Sequence, residues 1–349
     1  MEMRTPLVSF RACCFAAALA ATSACGKSSS SPSSPSNPSP QNTRPTNLTA
    51  SIVSYTDQSM RFGWSRPNES DTYVIEIGNA PATTSLTINT GVNGDFKIVE
   101  NLPAGEQFAR VRAQSSSGLS EPSNEVRFFI VDFRDFVEAV FLGTGPSRTL
   151  LETGCGNKFP GPQCTEFLLS YPRGTTVHAL AWSGLAASNL DATRAMLQQI
   201  SQATEGALNT TFDLTDQSFP LPGTNEITFG LKTADSQCGG SEACVEMTFV
   251  RAGIARSTAA VFSASFASDP RRTASFAHEA AHGLLGMRHV NSDSVGGDQG
   301  SIMSTRPGGT IGLPSALTAL DVEATRFVYR AGLGAGSSRG ELRAAGAIK

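Results

Sequence analysis

His278-Glu279-Ala280-Ala281-His282-Gly283-Leu284-Leu285-Gly286-Met287-Arg288-His289 holds three of the chain's four histidines. His278 and His282 are four apart, so on a helix they lie one turn apart on one face and reach a single metal ion together. Glu279 stands beside them, where a carboxylate can take a proton from a metal-activated water. Gly286 lets the chain leave the helix and return His289 as a third ligand. Three imidazoles with one open position suit a catalytic zinc ion, unlike the closed four-ligand cage of a structural site.

Outward from that stretch, the 349-residue chain has room for two modest domains with tails. A net charge of −3, with 16% charged residues and no basic stripe, argues against a nucleic-acid partner. At the N-terminus, Arg4 and Arg11 precede a small-residue apolar run, Ala12 to Ala21, and then Thr22-Ser23-Ala24-Cys25-Gly26. This is a signal-peptide pattern, too short for a mature membrane span. Its end resembles a bacterial lipobox, although Thr22 stands where Leu is usual. The resemblance implies lipidation of Cys25, a membrane partner through that anchor, and a place in the cell envelope (outer membrane or cell surface). Secretion is the alternative. Residues 28–40 are Ser, Pro and one Asn, so 26–44 reads as a disordered tether.

Cys13 and Cys14 fall in the signal segment, which leaves Cys155, Cys164, Cys238 and Cys244 besides Cys25. An even remainder in an exported protein suggests disulfides. Short separations favour Cys155–Cys164 and Cys238–Cys244, but sequence does not settle the pairing. A cysteine metal site is the weaker reading, since neither pair has Cys-x-x-Cys spacing.

Residues 45–130 alternate in the manner of strands: Met60, Phe62 and Trp64, then Tyr73, Ile75 and Ile77. The segment resembles a fibronectin type III domain in Pro45 to Ala50, Trp64, Tyr73 to Ile77, Leu102-Pro103-Ala104-Gly105, and Arg110-Val111-Arg112-Ala113 leading to Gly118 to Asn124. The resemblance implies an all-β sandwich. It departs at the corner, where Phe108 stands for the usual Tyr; the packing role remains and a hydroxyl hydrogen bond is lost. A spacer is the plain reading of this module, and a surface ligand is the partner class it would otherwise take.

In 131–332 the spacing predicts a strand or short helix at 131–141 and a strand at 175–182. A helix from Leu190 to Leu208, capped by Asn189 or Asp191, comes next. Strands are expected at 226–232, 245–251 and 258–266. The histidine helix runs from an N-cap at Ser275 to Gly286, and a last helix from about Pro314 to Tyr329. Residues 333–349 read as a disordered tail. This order, with Ser301-Ile302-Met303 after the histidines and Leu317 to Ala324 in the closing helix, resembles the metzincin metallopeptidases, most closely the matrixins. The resemblance implies an α+β catalytic domain and Zn2+ on His278, His282 and His289. It makes Glu279 the general base and Met303 the Met-turn floor. The substrate implied is a protein or peptide, held along an exposed edge strand in Arg256 to Phe266.

One departure concerns the third ligand. Gly286 is four residues after His282, one more than the family pattern, and an added residue rotates a helix by about 100°. A π-bulge, or an early exit near Gly283, is expected to absorb it. Should His289 fail to reach the metal, Asp293, Asp298 or the distant Glu323 are substitutes. His178 reads as structural. A chance His-Glu-x-x-His match on an amphipathic helix is weighed down by His289, Met303 and the export signal. The sequence therefore reads as a multidomain, surface-anchored or secreted zinc endopeptidase. Two rivals remain: a surface adhesion or binding protein whose metallopeptidase site has drifted, and a zinc amidase acting on cell-wall peptides.

Overall fold

The computed structural model describes residues 43–67, 71–147, 163–234, 240–251, 253–297, 299–305 and 313–349, with only the backbone of 163, 164 and 251. The signal segment with Cys25, the linker as far as residue 42, Cys155, Cys238 and Asp298 lie outside the described residues. Among the described residues no helix is long and apolar enough to cross a membrane.

The first domain is a two-sheet, all-β sandwich. One sheet holds β1 (Thr46–Ser54), β2 (Ser59–Ser65) and β5 (Phe96–Val99) in the order β1-β2-β5. The other holds β3 (Thr72–Gly78), β4 (Leu86–Asn89), β6 (Gly105–Ser115) and β7 (Gly118–Leu119) in the order β4-β3-β6-β7, with β8 (Val126–Ile130) also paired to β6. Alternation turns Phe62 and Trp64 of β2, Tyr73, Ile75 and Ile77 of β3, and Val111 and Ala113 of β6 into one core. Burial of each large member contributes roughly 1.5–3 kcal/mol. Register corrects the expected corner: Gln107, not Phe108, faces inward beside Ala109 and Val111. Its side-chain amide donates to the Pro103 carbonyl at 3.4 Å, so an amide makes the backward hydrogen bond that a corner tyrosine makes elsewhere. Phe108 is half-buried on the other face because successive strand residues alternate sides.

The second lobe follows directly with helix α1 (Phe133–Leu142), capped by Asp132, and a short α2 (Gln163–Glu166). Its sheet runs β10 (Leu208–Thr215), β9 (Thr175–Trp182), β11 (Glu226–Leu231), β13 (Ile254–Phe262), β12 (Ala243–Arg251). The first four strands are parallel to their neighbours, and β12 runs antiparallel to β13. Thus β13, where an edge for substrate was expected, lies between β11 and β12; β12 is the marginal strand of the described sheet.

Helix α3 (Ala187–Ala203) crosses from β9 to β10, and α4 (Ala264–Ser268) follows β13. Neither expected cap serves α3. Asn189 lies inside the helix, and its amide donates to the carbonyls of Ala267 and Asp269. Helix α5 (Thr273–Leu285) starts two residues before the expected Ser275, with no side-chain cap. It carries Phe276, Ala277, Ala280, Ala281 and Leu284 into the core. Gly283 allows it to lie close on the sheet, since a Cβ there would come within 2.6 Å of Ile227 Cδ1 and 2.9 Å of Thr258 Cγ2.

After α5, a two-residue parallel pair joins β14 (Val290–Asn291) to β15 (Ser304–Thr305). Helix α6 (Ala319–Arg330) starts later than predicted, at a capping box of Thr318 and Asp321. Residues 333–349 are not a tail. They form α7 (Arg339–Ala344), and Leu342, Ala347 and Ile348 are buried in the lobe's core. Two ion pairs fix the end of the chain, Lys349 to Asp132 and to Asp135.

Candidate metal centre

The structure brings His278, His282 and His289 together. Their Nε2 atoms lie 2.9 Å (278–289), 3.0 Å (278–282) and 3.2 Å (282–289) apart. Three nitrogens on one zinc at about 2.05 Å with tetrahedral angles lie about 3.3 Å apart, so the set fits a shared metal ion closely. No other cluster of three or more His, Cys, Asp or Glu among the described residues has metal-holding spacing.

Each ring is aimed by its second nitrogen. His278 Nδ1 donates to the Ile302 carbonyl at 2.8 Å, and His282 Nδ1 donates to the Met287 carbonyl at 2.5 Å. A carbonyl only accepts, so in the neutral rings both Nδ1 atoms carry the proton and both Nε2 atoms are bare lone pairs. Lone pairs 3.0 Å apart repel unless a cation lies between them. Burial, together with the neighbouring His278 and His289 rings and Arg288, holds the His282 imidazole well below its usual pKa despite its bond to Met287. It is therefore neutral, and ready to ligate, at neutral pH.

The longer spacing to His289 is absorbed without a π-bulge and without an exit at Gly283. Helix α5 stays regular through Leu285, and Gly286 turns the chain at φ 63°, ψ 21°, its N–H bonded to the His282 carbonyl. Thr258 Oγ1 donates to the Gly283 carbonyl and Ser170 Oγ to that of Leu284, so the last turn is satisfied from the sheet side. The following strand is pinned on both flanks of His289: Arg288 N–H donates to the Val140 carbonyl at 2.6 Å, and Val290 N–H to that of Met303 at 2.9 Å.

Met303 is fully buried and follows Ile302, whose carbonyl holds His278. This turn has an anchor that the sequence reading missed. Buried Asp321 accepts from Ser301 Oγ at 2.5 Å, and from Ile302 N, Thr318 N and Thr318 Oγ1 at 2.9 Å each. Burial raises its pKa although all these bonds favour the charged form. The Thr-x-x-Asp spacing at 318–321 was the available signal.

Glu279 is 7% exposed, and burial pushes its carboxyl up to about 8. Of the substitute ligands, Asp293 is exposed in the turn after β14, and Glu323 points into the sandwich hairpin. His178 is outside the centre, with Nε2 2.9 Å from Asp213 Oδ2. Cys244, in β12, is disulfide-bonded; Cys155 and Cys238, and the side chain of Cys164, lie outside the described residues. A cavity of about 660 Å³ lined by Arg44 to Thr49, Ser123 and Asn124 belongs to the sandwich, and no ligand histidine lines it.

No protein-family profile matches this chain, and no curated protein sequence matches it. Solved structures to which it is similar are fibronectin type III domains and related extracellular modules. Domains d3–d4 of the rat CD45 extracellular region match at 16% identity and TM-score 0.22, over 26% of this chain and 49% of that one. The chain thus spans about half of that fragment. A Fn3-like protein from Clostridium thermocellum matches at 18% identity and TM-score 0.22, over 24% of this chain and 86% of that one. The fibronectin type III domain of human fibronectin type III domain containing protein 3 matches at 21% identity and TM-score 0.22, over 27% and 90%.

Proposed function

We propose that this protein is a zinc-dependent endopeptidase of metzincin type, exported and anchored through Cys25, with a fibronectin type III-like module ahead of the catalytic lobe. The observation that carries the reading is the convergence of three Nε2 atoms within 3.2 Å, with the Nδ1 protons of His278 and His282 held on backbone carbonyls. The buried turn at Met303 and the closing helix α6 support the matrixin-like resemblance. The disulfide at Cys244 supports an oxidising compartment.

His278, His282 and His289 would hold a zinc ion, which would supply Lewis-acid chemistry for the scissile carbonyl and bring the pKa of water towards neutrality. The protein's own part is positioning and proton transfer. His278, His282 and His289 hold their lone pairs on one point, and the Ile302 and Met287 carbonyls keep the rings of His278 and His282 in the ligating tautomer. Glu279, next to the first candidate ligand on the helix, would take a proton from the attacking water and pass it to the leaving amine, since a cation beside it favours the ionised carboxylate that burial alone disfavours.

The test is elemental analysis of the dialysed mature chain, followed by hydrolysis of an unfolded protein substrate. About one zinc per chain, with cleavage that Glu279→Gln abolishes while zinc is retained, supports the proposal. A folded sample without zinc overturns it. Zinc without hydrolysis of any peptide favours the drifted binding protein.

A further inference from the structure

The sandwich and the lobe belong to one compact unit, residues 41–349. Among the described residues their contact includes a carboxylate bonded four times. Glu323 of α6 accepts four hydrogen bonds from the hairpin between β1 and β2: Ser54 Oγ at 3.1 Å, Tyr55 N at 3.1 Å, Thr56 N at 2.7 Å and Thr56 Oγ1 at 2.7 Å. Burial alone would raise its pKa, but these bonds outweigh it and the carboxyl is held below its usual range. Around the clamp, Tyr55 packs on the lobe's core, Gln58 Nε2 donates to the Val131 carbonyl at 3.4 Å, and the Phe129 side chain lies against Gly296. Gly296 ends the turn that leads from β14 towards Met303.

The placement of Glu323 on its helix matters. Residues two apart on an α-helix project about 200° apart, to nearly opposite sides. Asp321 grips the Ser301-Ile302 turn, whose carbonyl holds His278. Glu323, two residues on, grips the sandwich. One turn of α6 is therefore fastened to the metal centre on one side and to the sandwich on the other.

We infer that the sandwich is a built-in brace of the metal centre rather than a separate binding module or spacer, and that Glu323 is a positioning residue acting through α6, Asp321 and Ile302 on His278. This rests on the zinc reading above. A hairpin serving only as a tether would not place four donors on one partly buried carboxylate of the catalytic lobe. A module free to swing for a distant ligand would not pack the half-buried Tyr55 and Phe129 against that lobe.

The experiment compares zinc affinity of the full mature chain, by competition with a chromophoric chelator, in wild type, Glu323→Ala, Glu323→Gln, Thr56→Val and the Glu323→Ala/Thr56→Val pair. Mutating groups that orient metal ligands costs about 10–100-fold in affinity. Glu323 acts from one step further out, so the expected loss for Glu323→Ala is about 10-fold. Glu323→Gln, which keeps an acceptor oxygen, restores most of it. Thr56→Val, on the other domain, loses roughly 3-fold, and the double variant is no worse than Glu323→Ala alone because both act through one contact. Should Glu323→Ala not fold, the Gln and Val variants still report. Equal zinc affinity in all variants of a wild type that does bind zinc overturns the brace and leaves the enzyme reading standing. A wild type that takes up no zinc overturns both.

Discussion

Gly286 is where the longer ligand spacing is accommodated, so Gly286→Ala is a direct test of how this chain builds its site. The backbone there has φ 63°, and an alanine Cβ would stand 1.8 Å from the Leu169 carbonyl oxygen. Holding a residue with a Cβ in the left-handed region costs about 1–2 kcal/mol. The overlap is with backbone, which no rotamer change relieves, and overpacking of this kind costs about 1–3 kcal/mol. The metal-free chain should therefore lose about 2–5 kcal/mol, a fall in melting temperature of roughly 5–15 °C. The second effect is geometric. The chain must shift by about 1.2 Å to bring that contact to 3.0 Å. His289 lies three residues on, while metal–ligand distances tolerate only about 0.2 Å. Zinc content should fall well below one per chain even where the variant is folded. Gly283→Ala is the control: the nearest atoms to its Cβ would be side-chain atoms, Ile227 Cδ1 and Thr258 Cγ2, its backbone is helical, and its effect should be smaller. Circular dichroism during urea and thermal unfolding, with elemental analysis, reads both quantities. If Gly286→Ala matched wild type within about 1 kcal/mol and kept its zinc, the turn described here would not be what delivers His289.

Glu279→Gln should keep one zinc per chain and lower the turnover rate by about 10²–10⁴, measured on a fluorogenic peptide. Removing zinc with a chelator should lower the melting temperature, and zinc at 100 times its Kd should restore about 2.7 kcal/mol. Acid should loosen the junction between the domains. Because Glu323 has a lowered folded-state pKa, its stabilisation is present above its ordinary value near 4.5 and is lost as pH falls through the folded value; limited proteolysis between 131 and 133 should rise there in wild type and be nearly pH-independent in Glu323→Gln. Truncation after Gly336 removes the buried Leu342 and Ile348 and should cost about 3–6 kcal/mol, read by urea unfolding.

Periodicity and local chemistry were the legible part of the fold. The expected strand at 175–182 is β9 to the residue, because Val177, Ala179 and Ala181 alternate into the core. The turn out of α5 at Gly286 was legible because the left-handed cap demands glycine. What failed was whatever depends on another segment. Asn189 has the chemistry of an N-cap, but the carbonyls of Ala267 and Asp269, some 80 residues on, take its amide instead. The end of the chain, rich in Gly, Ala and Ser, looks like a tail until α7 and Ile348 find the lobe's core. Gln107 is the exception: period-two alternation with Ala109, Val111 and Ala113, opposite Arg110 and Arg112, already turns it inward, so the corner was legible locally.

The site divides in the same way. The three candidate ligands are local to one another in sequence, within twelve residues, and so were legible as a candidate cluster. What orients them is not local. His278 is aimed by Ile302, Ile302 is held by Asp321, and Asp321 shares its helix turn with a residue gripped by Ser54 to Thr56. Each link spans between 19 and 269 positions, except the step along α6. Only the three histidines are written contiguously; the groups that orient them are scattered along the chain. The precision of a metal centre there would depend on the rest, since a ligand free to move by an ångström binds metal poorly. If the hydrogen bonds at Glu323 transmit position to His278, then a substitution in the β-sandwich, at Thr56, must change the affinity of a metal centre to which it contributes no ligand.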